Sequence, residues 1–332
     1  MFRGLLMCAV LVQSVMSDAQ GAQSSGDSQP ARPAGFVVPD DISSRRVDIY
    51  SEGNRMTGYV FVAKKAAPDA KLPTIIMAHG WGGVQSQLRQ DASEFAREGY
   101  LVLTFDYRGW GESDSRVVLK SPASDVTKTD FTAEVHAIRE VVDPLDMAAD
   151  WQNAIHWVHG EPQVDVNRIG LWGSSMGGSY VVYAGAHDAR VKAVHSQVTG
   201  GLKGSLWTQW MPQGFEEATK RARGELGYPP PAQVNGGLRG APITSRFANY
   251  NPLDDITDVN TVAFQFVLSE HEQYLNNEEH AIAAYNRYQG PKKLITIPET
   301  SHYDIYGKAR VRSHELAREW FDLYLKNDGA KK

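Results

Sequence analysis

The sequence predicts an α/β protein built on a mostly parallel, doubly wound sheet with helices on both faces. Two observations carry that expectation. Apolar runs of strand length recur along the chain, as in LPTIIMAHG (72–80), YLVLTFDYRG (100–109) and TVAFQFVLSE (261–270). Stretches with helical periodicity separate most of them. A strand covered on both faces reads as apolar throughout, and alternating strands and helices build a parallel sheet.

In chain order, RRVDIYS and MTGYVFVAK read as two early strands joined by a turn at Gly53-Asn54. LPTIIMAHG is a buried strand, SQLRQDASEFAREG a helix and YLVLTFDYRG the next strand. VVDPLDMAADWQNAIHWVHG (141–160) is an amphipathic helix, with Leu145, Ala148, Ala149, Ala154, Ile155 and Val158 on its apolar face. Asp143 before Pro144 fits an N-cap followed by a first-turn proline. RIGLWGSSMGGSYVVYAGA (168–186) reads as a strand, a glycine-rich turn and a helix. VKAVHSQVTG, TVAFQFVLSE and KKLITIPE are further strands, and ARVRSHELAREWFDLYLK closes the chain as a helix. Residues 201–258 are too long for a simple crossover. Their two helix-like pieces and Pro/Gly-rich stretch predict a cap over the carboxyl edge of the sheet.

The chain has 332 residues, 42% apolar and 22% charged, with a formal charge of −5. That composition is globular, and the lack of a basic run argues against nucleic acid as a partner. Residues 1–19 carry Arg3, an apolar stretch too short for a bilayer, and Ser17 and Ala19 spaced for cleavage after Ala19. They read as a secretory signal peptide, which predicts a secreted or periplasmic protein with no stable membrane span after cleavage. Residues 20–39 read as a disordered leader, and the folded domain is expected over 40–328. The one cysteine, Cys8, lies in the signal, so a mature chain would lack disulfides and thiol chemistry.

The strongest chemical signal is GSSMGG, Gly173 to Gly178, a Gly-x-Ser-x-Gly pattern with Ser175 at its centre. Between a strand and a helix, this tight turn lifts a strained serine above the sheet. It also sets the hydroxyl at a helix N-terminus, whose backbone N–H groups favour an oxyanion. Ser174 stands one place too early and is expected to point elsewhere. His302 in ETSHYDIY follows the last strand and is the best base. His79 is expected to organise the loop beside it. His136, His156, His159 and His314 read as ordinary helical histidines. AHGWGG (78–83) follows a strand, and its glycines let a backbone N–H aim inward. The oxyanion donors are then the amides of Met176 and Trp81, together worth several kcal/mol in a transition state. In the cap, Trp207, Trp210, Met211 and Phe215 either line an apolar acyl pocket or fasten the cap to the sheet. There is no metal-ligand spacing, no dinucleotide fingerprint and no P-loop lysine, so neither cofactor nor metal is expected.

HGWGG, DYRGWGES, GSSMGG and SHYDIY together resemble the α/β-hydrolase superfamily over about residues 40–328. Within it the chain is most similar to the dienelactone-hydrolase-like and acyl-peptidase-like branch. The resemblance implies the sheet, the elbow, the oxyanion loop and a Ser-acid-His triad in that chain order. It puts the triad acid after the penultimate strand, in VLSEHEQYL (267–275). Glu272 then replaces the usual aspartate, and Glu270 is its rival. DYRGWGES reads as a structural turn near the site. A serine at the elbow excludes the aspartate-nucleophile dehalogenases and epoxide hydrolases of this superfamily. The expected activity is a serine esterase or thioesterase acting on a small acyl substrate through an acyl-enzyme on Ser175. A peptidase or amidase, an acyltransferase and a non-catalytic ligand-binding member of the fold are the alternatives.

Overall fold

The structure, a computed structural model, describes residues 36–203, 205–233 and 238–327; the side chains of 205–207 lie outside the description. The expected signal peptide and most of the expected leader also lie outside it. Eight strands form one sheet: β1 (Ile42–Ser51), β2 (Asn54–Ala63), β3 (Leu72–Ala78), β4 (Leu101–Phe105), β5 (Val164–Ser174), β6 (Val191–Gln197), β7 (Ala263–His271) and β8 (Lys292–Ser301). Their spatial order is β1-β2-β4-β3-β5-β6-β7-β8. β1 pairs antiparallel with β2, and β2 antiparallel with β4. All pairs from β4 to β8 are parallel. The carboxyl ends of β3, β5, β7 and β8 therefore face one edge, where loops converge in open α/β sheets.

The helices are α1 (Arg89–Arg97), α2 (Pro144–Gly160), α3 (Met176–His187), α4 (Ser205–Ala222), α5 (Ala281–Arg287) and α6 (Arg310–Phe321). Two apolar layers sandwich the sheet. One joins Ile76, Leu103, Leu171, Val194 and Phe264 to Trp151 of α2 and Val181 of α3. The other joins Ile75, Val102 and Trp172 to Phe95 of α1 and Phe321 of α6. Neighbouring residues of β3 and β4 thus serve opposite layers, because strand side chains alternate faces. Burying each such aromatic contributes about 2–3 kcal/mol.

The β1–β2 turn has Glu52 at φ 48° and Gly53 at φ 80°, the left-handed pair of a two-residue hairpin turn. Asp143 caps α2 by accepting from the N–H groups of Leu145 and Asp146. The buried face of α2 also takes in Met147, Trp151 and the charged Asp150. Asp150 is buried because its carboxylate accepts the Arg108 guanidinium at 2.7 Å. That pair ties the DYRGWGES turn to α2.

One feature departs from the sequence reading. Residues between β4 and α2 form an exposed hairpin, Val117–Leu119 with Val135–Ala137. His136 therefore lies on a strand and not on a helix. Between β6 and β7 runs the long segment that holds α4, a 3-10 stretch Thr244–Asn249 and a helical turn Pro252–Asp255.

Candidate active site

Ser175 sits between the end of β5 and the start of α3, with φ 56° and ψ −125°. For a residue with a Cβ this backbone conformation is strained. It is held by hydrogen bonds from Ser175 N–H to Gln197 O at 2.9 Å and from Gly178 N–H to Ser175 O at 2.9 Å. The flanking glycines have a steric reason. A Cβ on Gly173 would lie 2.2 Å from Gly177 O, and one on Gly177 would lie 2.9 Å from His79 O.

The loop after β3 packs directly on this turn. A Cβ on Gly80 would lie 2.7 Å from Ser174 O and 3.1 Å from Ser175 Cβ. Trp81 therefore follows a residue in backbone contact with the elbow, and its indole N–H donates to Gly240 O at 2.9 Å. Met176 opens α3, where the N–H groups of the first turn have no intrahelical acceptor. His79 is buried, and its Nδ1–H donates to Gly80 O at 2.8 Å. Burial lowers its pKa, so the imidazole is neutral and braces the loop. Asp106 braces it from below, accepting Gln85 N–H at 2.7 Å and Glu112 N–H at 3.1 Å. The DYRGWGES segment is a turn supporting the loop.

His302 follows β8. Its Nδ1–H donates to Glu272 Oε2 at 2.8 Å, with both side chains almost wholly buried. The other oxygen, Oε1, accepts Tyr274 N–H at 3.0 Å and Leu275 N–H at 3.3 Å. His302 N–H donates to Gln273 Oε1 at 3.1 Å. Tyr274 and Tyr303 stand edge-on to the imidazole at ring distances of 5.5 and 5.3 Å. Glu270 turns elsewhere. Its carboxylate accepts Glu299 N–H at 2.8 Å, in a backbone bend with Glu299 at φ 55°. The side chain of His271 is 60% exposed.

Ser175, Met176, Trp81 and His302 line one cleft of about 610 Å³. Leu88, Trp172, Leu238, Leu275 and Ile305 give it apolar walls. Trp210, Met211 and Phe215 do not line it. Phe215 is 52% exposed and Met211 packs on the core, so α4 carries these residues away from the chemistry. The side chain of Trp207 lies outside the described residues. Where the long segment does reach the cleft, it does so through Leu238, a residue with no periodic pattern to announce it.

Among the described residues, two clusters bring carboxylates and a histidine close enough to hold a cation: Asp91-Glu94-His314 and Glu270-His271-Glu299. In the first, the Arg310 guanidinium already stands 2.6 Å from Asp91 and 2.8 Å from Glu94. The second is wholly exposed.

Residues 56–198 match the dienelactone hydrolase family. This stretch contains the glycine-rich loop after β3 and the turn that carries Ser175. The structure superposes on an alpha/beta hydrolase of Penicillium with a TM-score of 0.66 at 18% identity, covering 86% of this chain and 99% of that one. The chain has the α/β-hydrolase fold. Over the matched residues this α/β hydrolase is dienelactone-hydrolase-like. It is 26% identical over 285 residues to the 31.7 kDa protein of the traX-finO intergenic region of Escherichia coli, covering 77% of this chain and 92% of that protein. It is also 28% identical over 146 residues to the thiohydrolase aneE of Aspergillus aculeatus, covering 44% of this chain and 38% of that enzyme. No helix of this α/β hydrolase among the described residues is long and apolar enough to cross a membrane.

Proposed function

We propose that this α/β hydrolase is a serine hydrolase that cleaves carboxylic ester or thioester bonds of a compact, largely apolar acyl substrate. The observation that carries this reading is the 2.8 Å bond from His302 Nδ1 to Glu272, beside the cleft that Ser175 lines. With Nδ1 committed to the carboxylate, Nε2 is the ring nitrogen free to take a proton. His302 removes the proton of Ser175 as its oxygen attacks the acyl carbonyl. The carbonyl oxygen gains charge, which the amides of Met176 and Trp81 stabilise. The imidazolium, stabilised by Glu272, then protonates the leaving alcohol or thiol. Water attacks the acyl-enzyme by the reverse sequence and releases the acid.

The apolar walls support an uncharged acyl chain. The likeness to a thiohydrolase supports thioesters alongside oxygen esters. We also propose export, with cleavage after Ala19, on the strength of the N-terminal sequence; N-terminal sequencing of the mature protein checks it.

A fluorophosphonate probe tests the central claim. Labelling of the wild type that vanishes in Ser175→Ala is expected, and an unlabelled wild type would sink the proposal. A series of p-nitrophenyl esters and acyl thioesters of increasing chain length then defines the acyl preference.

A further inference from the structure

Ser174, the extra serine of GSSMGG, is buried and hydrogen-bonded to Tyr306 Oη at 2.7 Å. Tyr306 ends the 3-10 turn Tyr303–Tyr306, for which His302 is the N-cap. One hydroxyl pair thus joins the residue before the proposed nucleophile to the turn that begins at the proposed base. The Tyr306 and His302 rings lie 6.3 Å apart at 61°.

A buried chain of side chains stands behind this bond and holds Ser174 in place. Gln197 Nε2 donates to Ser174 Oγ at 3.2 Å. Gln197 Oε1 accepts from Ser313 Oγ and lies 3.1 Å from His195 Nε2. His195 Nδ1 lies 2.7 Å from Gln265 Oε1, while Gln265 Nε2 is buried with no partner. His195 is fully buried, and burial lowers its pKa to about 4. A neutral imidazole donates from one nitrogen only, so it cannot face two carbonyl oxygens. Exchanging the oxygen and nitrogen of the Gln265 amide removes the conflict and gives the orphaned Nε2 a partner. Gln265 Nε2–H then donates to His195 Nδ1, and His195 Nε2–H donates to Gln197 Oε1. Gln197 is thereby held with its NH2 on Ser174. Ser174 receives that donor and keeps its own O–H and its second lone pair for Tyr306 Oη.

We propose that Ser174 and Tyr306 are positioning residues that fix His302 relative to Ser175. Both border the cleft, but neither is a reacting group in the proposed chemistry. Glu272 and Gln273 restrain the imidazole and its backbone from the β7 side, and the Ser174–Tyr306 bond restrains its turn from the elbow side. Loss of this bond frees the turn and misplaces Nε2, and a misplacement of about 1 Å is enough to slow an attack strongly.

This inference rests on the serine-hydrolase reading, and one experiment separates the two. The second-order rate of fluorophosphonate labelling is measured across pH for wild type, Ser174→Ala, Tyr306→Phe and the double variant, with circular dichroism and melting followed in parallel. Each single variant is expected to slow labelling about tenfold at unchanged fold, with the double variant no slower than either single. With a chromogenic ester, kcat should fall while KM stays within about twofold. Singles that label at the wild-type rate, or losses that multiply in the double variant, would overturn the proposal. A change in melting temperature with no change in labelling rate would assign the pair a structural role only, and also overturns it. An unlabelled wild type removes the underlying reading instead.

Discussion

The carboxylate of Glu272 is divided between two tasks: one oxygen accepts His302 Nδ1–H at 2.8 Å, and the other accepts the N–H groups of Tyr274 and Leu275. The loop that carries Glu272, the proposed acid, therefore also immobilises it. A glutamine at 272 keeps the shape but can turn its NH2 towards the imidazole or the two amides. Glu272→Gln is expected to lower kcat by on the order of a hundredfold or more. Glu270→Gln, whose parent carboxylate is bound to Glu299 N–H, is expected to stay within about threefold of wild type. Steady-state kinetics on one ester decide the pair, and the reverse ranking would move the acid to Glu270.

The backbone at Ser175, φ 56° and ψ −125°, is one that glycine adopts without strain. Ser175→Gly is expected to abolish turnover while raising stability by on the order of 1 kcal/mol. That corresponds to a rise in melting temperature of roughly 2 °C. A variant that melts below the wild type would show that the turn is not strained.

At Gly80 the obstacle to a side chain is backbone, since a Cβ would lie 2.7 Å from Ser174 O. No rotamer relieves that contact, so the loop proposed to supply an oxyanion donor must move away from the elbow. Gly80→Ala is expected to lower kcat at least tenfold and to destabilise the fold by about 1–3 kcal/mol. Kinetics and denaturant titration read both effects, and normal kcat would mean that the loop does not supply the oxyanion donor.

His314 lies on α6 against α1, with Nδ1 3.5 Å from Asp91, Nε2 3.5 Å from Glu98 and Nδ1 3.7 Å from Glu94. Burial opposes its charge, but the carboxylates of Asp91 and Glu98 outweigh burial and push its pKa up to about 9. In the unfolded chain the value returns to about 6.5. The folded state therefore holds the proton more tightly, and the stabilisation is fully present below pH 6.5. It is lost as pH rises through about 9. Melting temperature is expected to fall between pH 7 and 10, and His314→Gln should flatten that fall. Parallel slopes for the two proteins would exclude His314 as the cause.

What could be read in the sequence follows from how local each signal is. Strands covered on both faces are apolar along their whole length, so β3, β4 and β7 stood out. The Asp143-Pro144 start of α2 and the strand-turn-helix around GSSMGG are equally local. The hairpin at 117–137 left no such mark, because its strands are three residues long and exposed. The Trp, Met and Phe cluster on α4 left two readings open, since aromatic content says nothing about which way a helix faces the sheet.

Taken alone, the sequence determined the α/β class and the elbow serine with its neighbouring amide, because each depends on residues close in the chain. It also placed His302 on the loop after the last strand, and narrowed the acid to Glu272 or Glu270. Only the tertiary structure sets those two glutamates apart: beside a register break between Ser269 and His271, Glu272 accepts His302 Nδ1–H and Glu270 accepts Glu299 N–H. It alone joined Ser174 to Tyr306, 132 positions apart. It alone made Leu238 and Leu275 cleft walls. Such contacts depend on how side chains pack once the sheet has closed, and no short-range pattern encodes that.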